Sequence, residues 1–297
     1  MSSAEAVAKL CAKEEAERKT LKPTHDVAAA KQVALDHFGV AVMQLSELDS
    51  YDDQNWRVVD GGGNAYVLKA HNGVEARDAA LLDAQSALFA RLSERGVRAP
   101  TEARPRVSSS TTSYRLLDWV DGDVLSKAEA TPALLERSGA FLGRIRQALD
   151  DFDEEALHRT HLWDPRQFLA VATFSQKLTG MGCDAARAAL VHRAIENYEA
   201  RSAAFAELPR AVCHGDYNDA NVLLRGDGDL DDDWGVLDVG DAVGKPARAS
   251  AETSRGGAAA ATWIFRGGGP RRRRGYDVDI PLRRDRGDIA ATTWIFL

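Results

Sequence analysis

The stretch CHGDYNDANVLL, Cys213–Leu224, constrains the fold more than any other part of this 297-residue chain. It sets a His, two Asp and two Asn between two short apolar runs, AVCH and NVLL. Runs of that length bounded by turn residues read as strands. A third strand, GVLDVGDAV, enters a second acidic turn and puts Asp238 seventeen residues after Asn221. Strand, loop, strand and strand end can bring Asp216, Asn221 and Asp238 to one face.

That donor set has a specific use. Phosphoryl transfer from a nucleotide needs a carboxylate to orient an acceptor hydroxyl, oxygen ligands for Mg²⁺, and a cation for the phosphates that stay behind. Asp216 and Asn221 stand at the spacing H-G-D-x-x-x-x-N, and Lys69 in the strand YVLKA supplies the cation. The turn Gly61-Gly62-Gly63-Asn64 before that strand is a hairpin signal, and with the polar loop SYDDQN it can cover phosphates. Each piece alone has a bland meaning. An Asp-Gly or Asn-Asp pair is usually a turn, and a lone strand lysine is usually solvated. The ordered set is far more specific.

The rest of the chain supplies the frame. Residues 4–38 read as helical with a break at Pro23 and apolar positions Val27, Val33 and Phe38. Leu81, Gln85, Leu88 and Leu92 recur at helical spacing, and Gly96 stops that helix. SYRLLDWV reads as a strand. Thr131-Pro132 opens a helix with Leu135, Leu142, Ile145 and Leu149 on one face, and another helix covers about 184–207.

The composition breaks near Gly244. From Lys245 onward there are 11 Lys+Arg against 5 Asp+Glu, which leaves 27 against 40 in the preceding residues. TWIF recurs at Thr262 and Thr293, with Arg271–Arg274 between the copies. Two copies cannot build a solenoid core, so residues 245–297 are expected to be a repetitive, basic, poorly ordered tail.

CHGDYNDANVLL followed by GVLDVGDAV resembles the aminoglycoside phosphotransferase and choline kinase superfamily. SYDDQNW, YVLKAHN and ALDDFDEEALHRTHLWDPRQ make it most similar to the hydroxylysine kinase branch. The resemblance covers about residues 25–244. It implies an α+β, two-lobed, protein-kinase-like fold: a small N-terminal lobe with an antiparallel sheet, and a mainly helical C-terminal lobe incomplete at its C-terminus. The expected division is a helical extension at 1–24, a nucleotide-binding lobe at 25–120, a partial catalytic lobe at 121–244 and the tail at 245–297.

The same resemblance implies roles. Asp216 is the catalytic base, Asn221 and Asp238 hold Mg²⁺, and Lys69 meets the α- and β-phosphates. Gln54 and Asn55 sit in the nucleotide loop. Main-chain groups near Asp118 and Val120 meet the base of the nucleotide. His214 braces the loop. The donor is GTP or ATP and the acceptor a small molecule, 5-hydroxy-L-lysine first. Three departures stand out. Val239 replaces the usual Phe, the acid that pairs with Lys69 is open between Asp83 and Glu75, and the tail replaces the helices that complete the second lobe. A non-catalytic nucleotide-binding remnant is therefore the alternative.

Other classes fit less well. A formal charge of −7 argues against a general nucleic-acid binder. Among the seven histidines there is no HxH or HExxH for a hydrolytic metal centre. No apolar run approaches a membrane span. Cys11, Cys183 and Cys213 form no CxxC, and the N-terminus lacks an apolar leader, so a reduced, cytoplasmic protein is expected.

Overall fold

A computed structural model describes residues 3–244 apart from Ser110, 162–163, Gln176, Thr179, Met181, 207–210, Asp227 and Asp229. The readings made for residues 245–297 lie outside this set. No described helix is long and apolar enough to cross a membrane.

Two helices precede the sheet, α1 (Ser3–Thr20) and α2 (Val27–Phe38), separated around Pro23. Asp26 caps α2 by accepting from the Ala29 amide at 2.8 Å, and Gly39 closes it at φ 68°. The buried face of α2 is Ala30, Ala34 and Phe38, whereas Val27 is exposed. The small residues at i and i+4 let the helix lie close on the sheet, so the apolar size of Val27 misled the sequence reading.

The N-lobe sheet has five antiparallel strands: β1 (Val42–Leu48), β2 (Gln54–Asp60), β3 (Ala65–Ala70), β4 (Glu102–Ser108) and β5 (Ser113–Asp118). Their spatial order is β1-β2-β3-β5-β4. The glycine turn joins β2 to β3, with Asp60 accepting from the amides of Gly62 and Asn64 at 2.8 and 2.9 Å. β4 went unread in the sequence. It carries Pro105, and two register shifts break its pairing, as tolerated only at an edge. Trp56, Val58, Leu68, Ala70 and Leu116 face α2 in one core. Strand alternation sends Lys69 and Arg115 to the opposite face.

A short turn of helix, α3 (Gly73–Ala76), leads into α4 (Ala79–Glu94). Leu81, Gln85, Leu88 and Leu92 are all buried, as their spacing required, and Gly96 follows at φ 75°. The C-lobe holds β6 (Asp123–Val124), α5 (Pro132–Ala148), α6 (Phe168–Ser175), α7 (Ala185–Ala206), β7 (Val222–Leu224) and β8 (Trp234–Val236). The last two strands and β6 form a small sheet in the order β6-β7-β8.

Leu88 and Leu92 of α4 share a core with Phe141, Ile145, Val222, Trp234, Val236 and Val239, so α4 anchors one lobe to the other. Thr131 caps α5 as expected, but its buried stripe runs through Leu134, Phe141, Ile145 and Ala148, and Leu135 is 50% exposed. AVCH is not a strand. Cys213 makes only a lone antiparallel bridge to Val243, with N–O distances of 3.0 and 3.2 Å. The architecture is the expected two-lobed α+β fold.

Candidate active site

The polar loop and the second acidic turn are tied by the β7–β8 pair. Val222 faces Val236, and the Leu237 amide donates to Asn221 O at 2.8 Å. That register puts Asp238 beside Asn221. His214 adds a second tie, its Nε2 donating to Leu237 O at 2.8 Å. The Asp216 amide donates to His214 Nδ1 at 3.3 Å. The pair of bonds describes one neutral tautomer, and burial pushes the His214 pKa down. His214 is thus a brace.

Gly215 makes the turn possible. Its φ is +88°, and a Cβ there would lie 2.0 Å from Asp241 O. The loop therefore packs directly on the acidic turn. Asp216 itself is exposed, and its carboxylate is aimed by two amides. Asn218 Nδ2 donates to Oδ1 and Asn221 Nδ2 to Oδ2, each at 2.8 Å.

Asp238 holds φ +45°, a left-handed conformation uncommon for a non-glycine residue. Its Oδ1 accepts from the Gly240 amide at 2.8 Å, which leaves Oδ2 facing Lys69 Nζ at 3.5 Å. The Lys69 ammonium holds this carboxyl below its usual range, although burial acts the other way. Burial alone would depress Lys69; the Asp238 and Asp53 carboxylates reverse this and raise its pKa.

The acid paired with Lys69 is neither sequence candidate. Asp53 Oδ2 lies 2.6 Å from Lys69 Nζ. Asp83 instead binds Arg106 on an exposed face of α4. Glu75 lies 3.4 Å from both His71 Nδ1 and Arg18 Nη1. Asp53 stood in SYDDQN, but a loop acid has no spacing that predicts a strand lysine two elements away.

The other expected residues lie around this centre. Asn55 pairs with Lys69 across β2 and β3, and its buried Oδ1 has no hydrogen-bond partner among the described residues. Gln54 is turned aside: its Nε2 donates to His25 O and Glu47 Oε1 at 2.9 and 2.8 Å, and its Oε1 accepts from the His25 amide at 2.7 Å. The Asp118 amide donates to Thr101 O at 2.8 Å, and its carboxylate accepts from Thr101 Oγ1 at 2.6 Å. Val120 packs toward Gly235 on β8.

The donor set suits a hard divalent cation, which takes carboxylate and amide oxygens. Asn221 spends its amide nitrogen on Asp216, which leaves its carbonyl oxygen for a ligand. Negative charge is concentrated here: burial, Asp216 and Asp238 together push the Asp241 carboxyl up to about 7. An arrangement of this kind can hold a cation, fix phosphates through Lys69 and present a base at Asp216.

Comparison with known proteins gives the family of the chain. Hydroxylysine kinase from Danio rerio is 26% identical over 231 residues, and that from Xenopus laevis is 27% identical over 250. The matches take in 71% and 74% of this chain but 63% and 66% of those relatives, so the chain spans about two thirds or less of their length. Among solved structures, the GDP complex of an aminoglycoside 2'-phosphotransferase superposes with a TM-score of 0.57 at 15% identity, covering 74% of each chain. A microcompartment-associated aminopropanol kinase also gives 0.57, at 18% identity over 74% of this chain and 70% of its own. Identity that low carries the fold alone. The model of the phosphotransferase enzyme family matches residues 44–248, more than half of the chain, and the chain belongs to that family.

Proposed function

We propose that the chain is a small-molecule kinase. It moves the γ-phosphoryl group of GTP or ATP to a hydroxyl of a small cationic acceptor, first among them 5-hydroxy-L-lysine. The observation that carries this reading is one bonded unit in which Asn221 fixes Asp216 at 2.8 Å while Lys69 meets Asp238 at 3.5 Å. The acceptor is supported by the 26–27% identity to hydroxylysine kinases.

In this reading Asp216 accepts the proton of the acceptor hydroxyl as its oxygen bonds to the γ-phosphorus and the nucleoside diphosphate departs. Asn221 and Asp238 would hold Mg²⁺, which when bound offsets the charge on the phosphates. Lys69 turns from its carboxylates to the α- and β-phosphates. Gln54 and Asn55 open strand β2, directly after the loop expected to lie over the nucleotide, and main-chain groups near Asp118 and Val120 receive its base. We place the lobe boundaries at 24/25, 120/121 and 244/245. We place the protein in the cytoplasm, on the strength of three free cysteines.

Thermal unfolding of the chain with Mg-GTP and with Mg-ATP tests the nucleotide half of this reading. A ligand that binds only the folded state at a hundred times its Kd adds about 2.7 kcal/mol. A higher Tm with one of the two is expected. A cooperative melt that neither nucleotide moves contradicts the reading.

A further inference from the structure

Helix α1 lies outside the sheet and outside the residues assigned to chemistry, yet its last turn reaches Asp52, the neighbour of the acid that pairs with Lys69. The Arg18 guanidinium is 11% exposed and touches three carboxylates. It meets Asp52 Oδ2 at 3.1 Å, Glu75 Oε1 at 3.4 Å and Glu14 Oε1 at 3.1 Å.

Backbone and amide bonds reinforce the contact. Asn72 Nδ2 donates to Arg18 O at 2.8 Å and to Asp52 O at 3.1 Å, while the Asn72 amide donates to Asp53 Oδ1 at 2.7 Å. The Gly73 amide donates to Leu21 O at 3.1 Å. Lys22 Nζ donates to Ser50 O and Tyr51 O, both at 2.8 Å. The end of α1 is therefore bonded to the loop before β2 and to the turn after β3. Those two segments carry Asp53 and the Asn72 amide that holds its Oδ1.

Charge explains why a cation is needed there. Asp52, Asp53, Glu75 and Asp238 gather around two cations, Lys69 and Arg18. Asp53 and Asp238 use Lys69; Asp52 and Glu75 use Arg18. Without Arg18, Asp52 loses its ion-pair partner and Glu75 keeps only His71 beside it, a ring that burial disfavours as a cation, which is unfavourable. Lys69 is one of the cations left near Glu75, beside Arg159 and Arg115. Glu75 and Asp52 would then compete for it or drive the loop apart.

We propose that Arg18 is a positioning residue for phosphoryl transfer: by neutralising Asp52 and Glu75 it keeps Asp53, and with it Lys69, where the nucleotide phosphates are received. The proposal rests on the kinase reading, but its first consequence needs no nucleotide. An amine held as an ammonium between carboxylates is a poor nucleophile. Lys69 should be acylated more slowly once Arg18 is removed, because the uncompensated Asp52 and Glu75 carboxylates favour its ammonium form.

The test is acylation of Lys69 in the full chain, followed by peptide mass spectrometry, with exposed Lys31 as the internal reference. Arg18→Met keeps most of the side-chain stem and removes the charge. It should slow Lys69 modification roughly tenfold, and Arg18→Lys should fall between it and wild type. The same order is expected for the Kd of Mg-GTP or Mg-ATP by calorimetry. Wild-type Lys69 reactivity in both variants would overturn the proposal. If Arg18→Met does not fold, Arg18→Lys still decides, because its Lys69 must label more slowly than wild type. Slower Lys69 labelling in the variants of a chain that binds no nucleotide would support the Arg18 contact and sink the kinase reading.

Discussion

Asn221 donates its side-chain amide twice to Asp216, to the carboxylate Oδ2 at 2.8 Å and to the main-chain oxygen at 2.9 Å. One residue therefore shapes the loop and aims the base. Its side-chain oxygen is left for a ligand.

Asp216→Asn should lower the rate of transfer by about 10²–10⁴, the usual contribution of a positioned base. Nucleotide affinity should change little. The variant also sets an NH₂ against one of the two donors, Asn218 or Asn221, so a loss of about 1 kcal/mol in stability is expected. Steady-state kinetics beside calorimetry check this, and a variant that keeps wild-type kcat refutes the role.

Asp53→Asn removes the nearer of the two carboxylates on Lys69. Breaking a buried ion pair costs about 3–5 kcal/mol when nothing replaces the partner, and Asp238 at 3.5 Å softens that. A lowered Tm and weaker Mg-nucleotide binding are expected. Asp83→Asn, on the exposed face with Arg106, should leave both unchanged. Equal effects in the two variants would contradict the assignment of Asp53.

Gly215→Ala should be among the most damaging substitutions in the chain. The added Cβ meets a carbonyl oxygen at 2.0 Å, and alanine disfavours φ +88°. Denaturant unfolding should show a loss well above the ~1 kcal/mol typical of a point mutation. A variant of wild-type stability would mean that the loop does not pack on Asp241.

Asp241 gives the metal-free protein a pH dependence of known sign. Its carboxyl is pushed from 3.8 up to about 7 by burial and by Asp216 and Asp238. Between those values the folded state keeps a proton that the unfolded chain has released, so this group lowers stability as pH rises through that window. Asp241→Asn lacks the effect. In EDTA, its Tm advantage over wild type should grow from pH 4 to pH 8. An advantage that does not vary with pH would contradict the shift.

The sequence showed the parts that short-range chemistry controls. The glycine turn, the caps Thr131 and Gly96 and the stripe Leu81-Gln85-Leu88-Leu92 act through neighbours a few residues away. The polar loop was legible because its bonds are local as well: Asn218 and Asn221 reach Asp216 within five residues. Asp53 and Arg18 were missed because their partners lie in other elements. Lys69 is sixteen residues from Asp53, and Glu75 is fifty-seven from Arg18. The buried faces of α2 and α5 were shifted because burial followed the sheet and α4 rather than side-chain size. β4 escaped because an edge strand tolerates a proline and irregular pairing.

The most direct test of the account is transfer of the labelled γ-phosphate of Mg-GTP and Mg-ATP to 5-hydroxy-L-lysine, with wild type and Asp216→Asn measured side by side. The account predicts phosphorylated hydroxylysine from one of the two donors with wild type, and at least about a hundredfold less with Asp216→Asn. Transfer that survives in Asp216→Asn, or none from either donor in a folded wild-type chain, would contradict it.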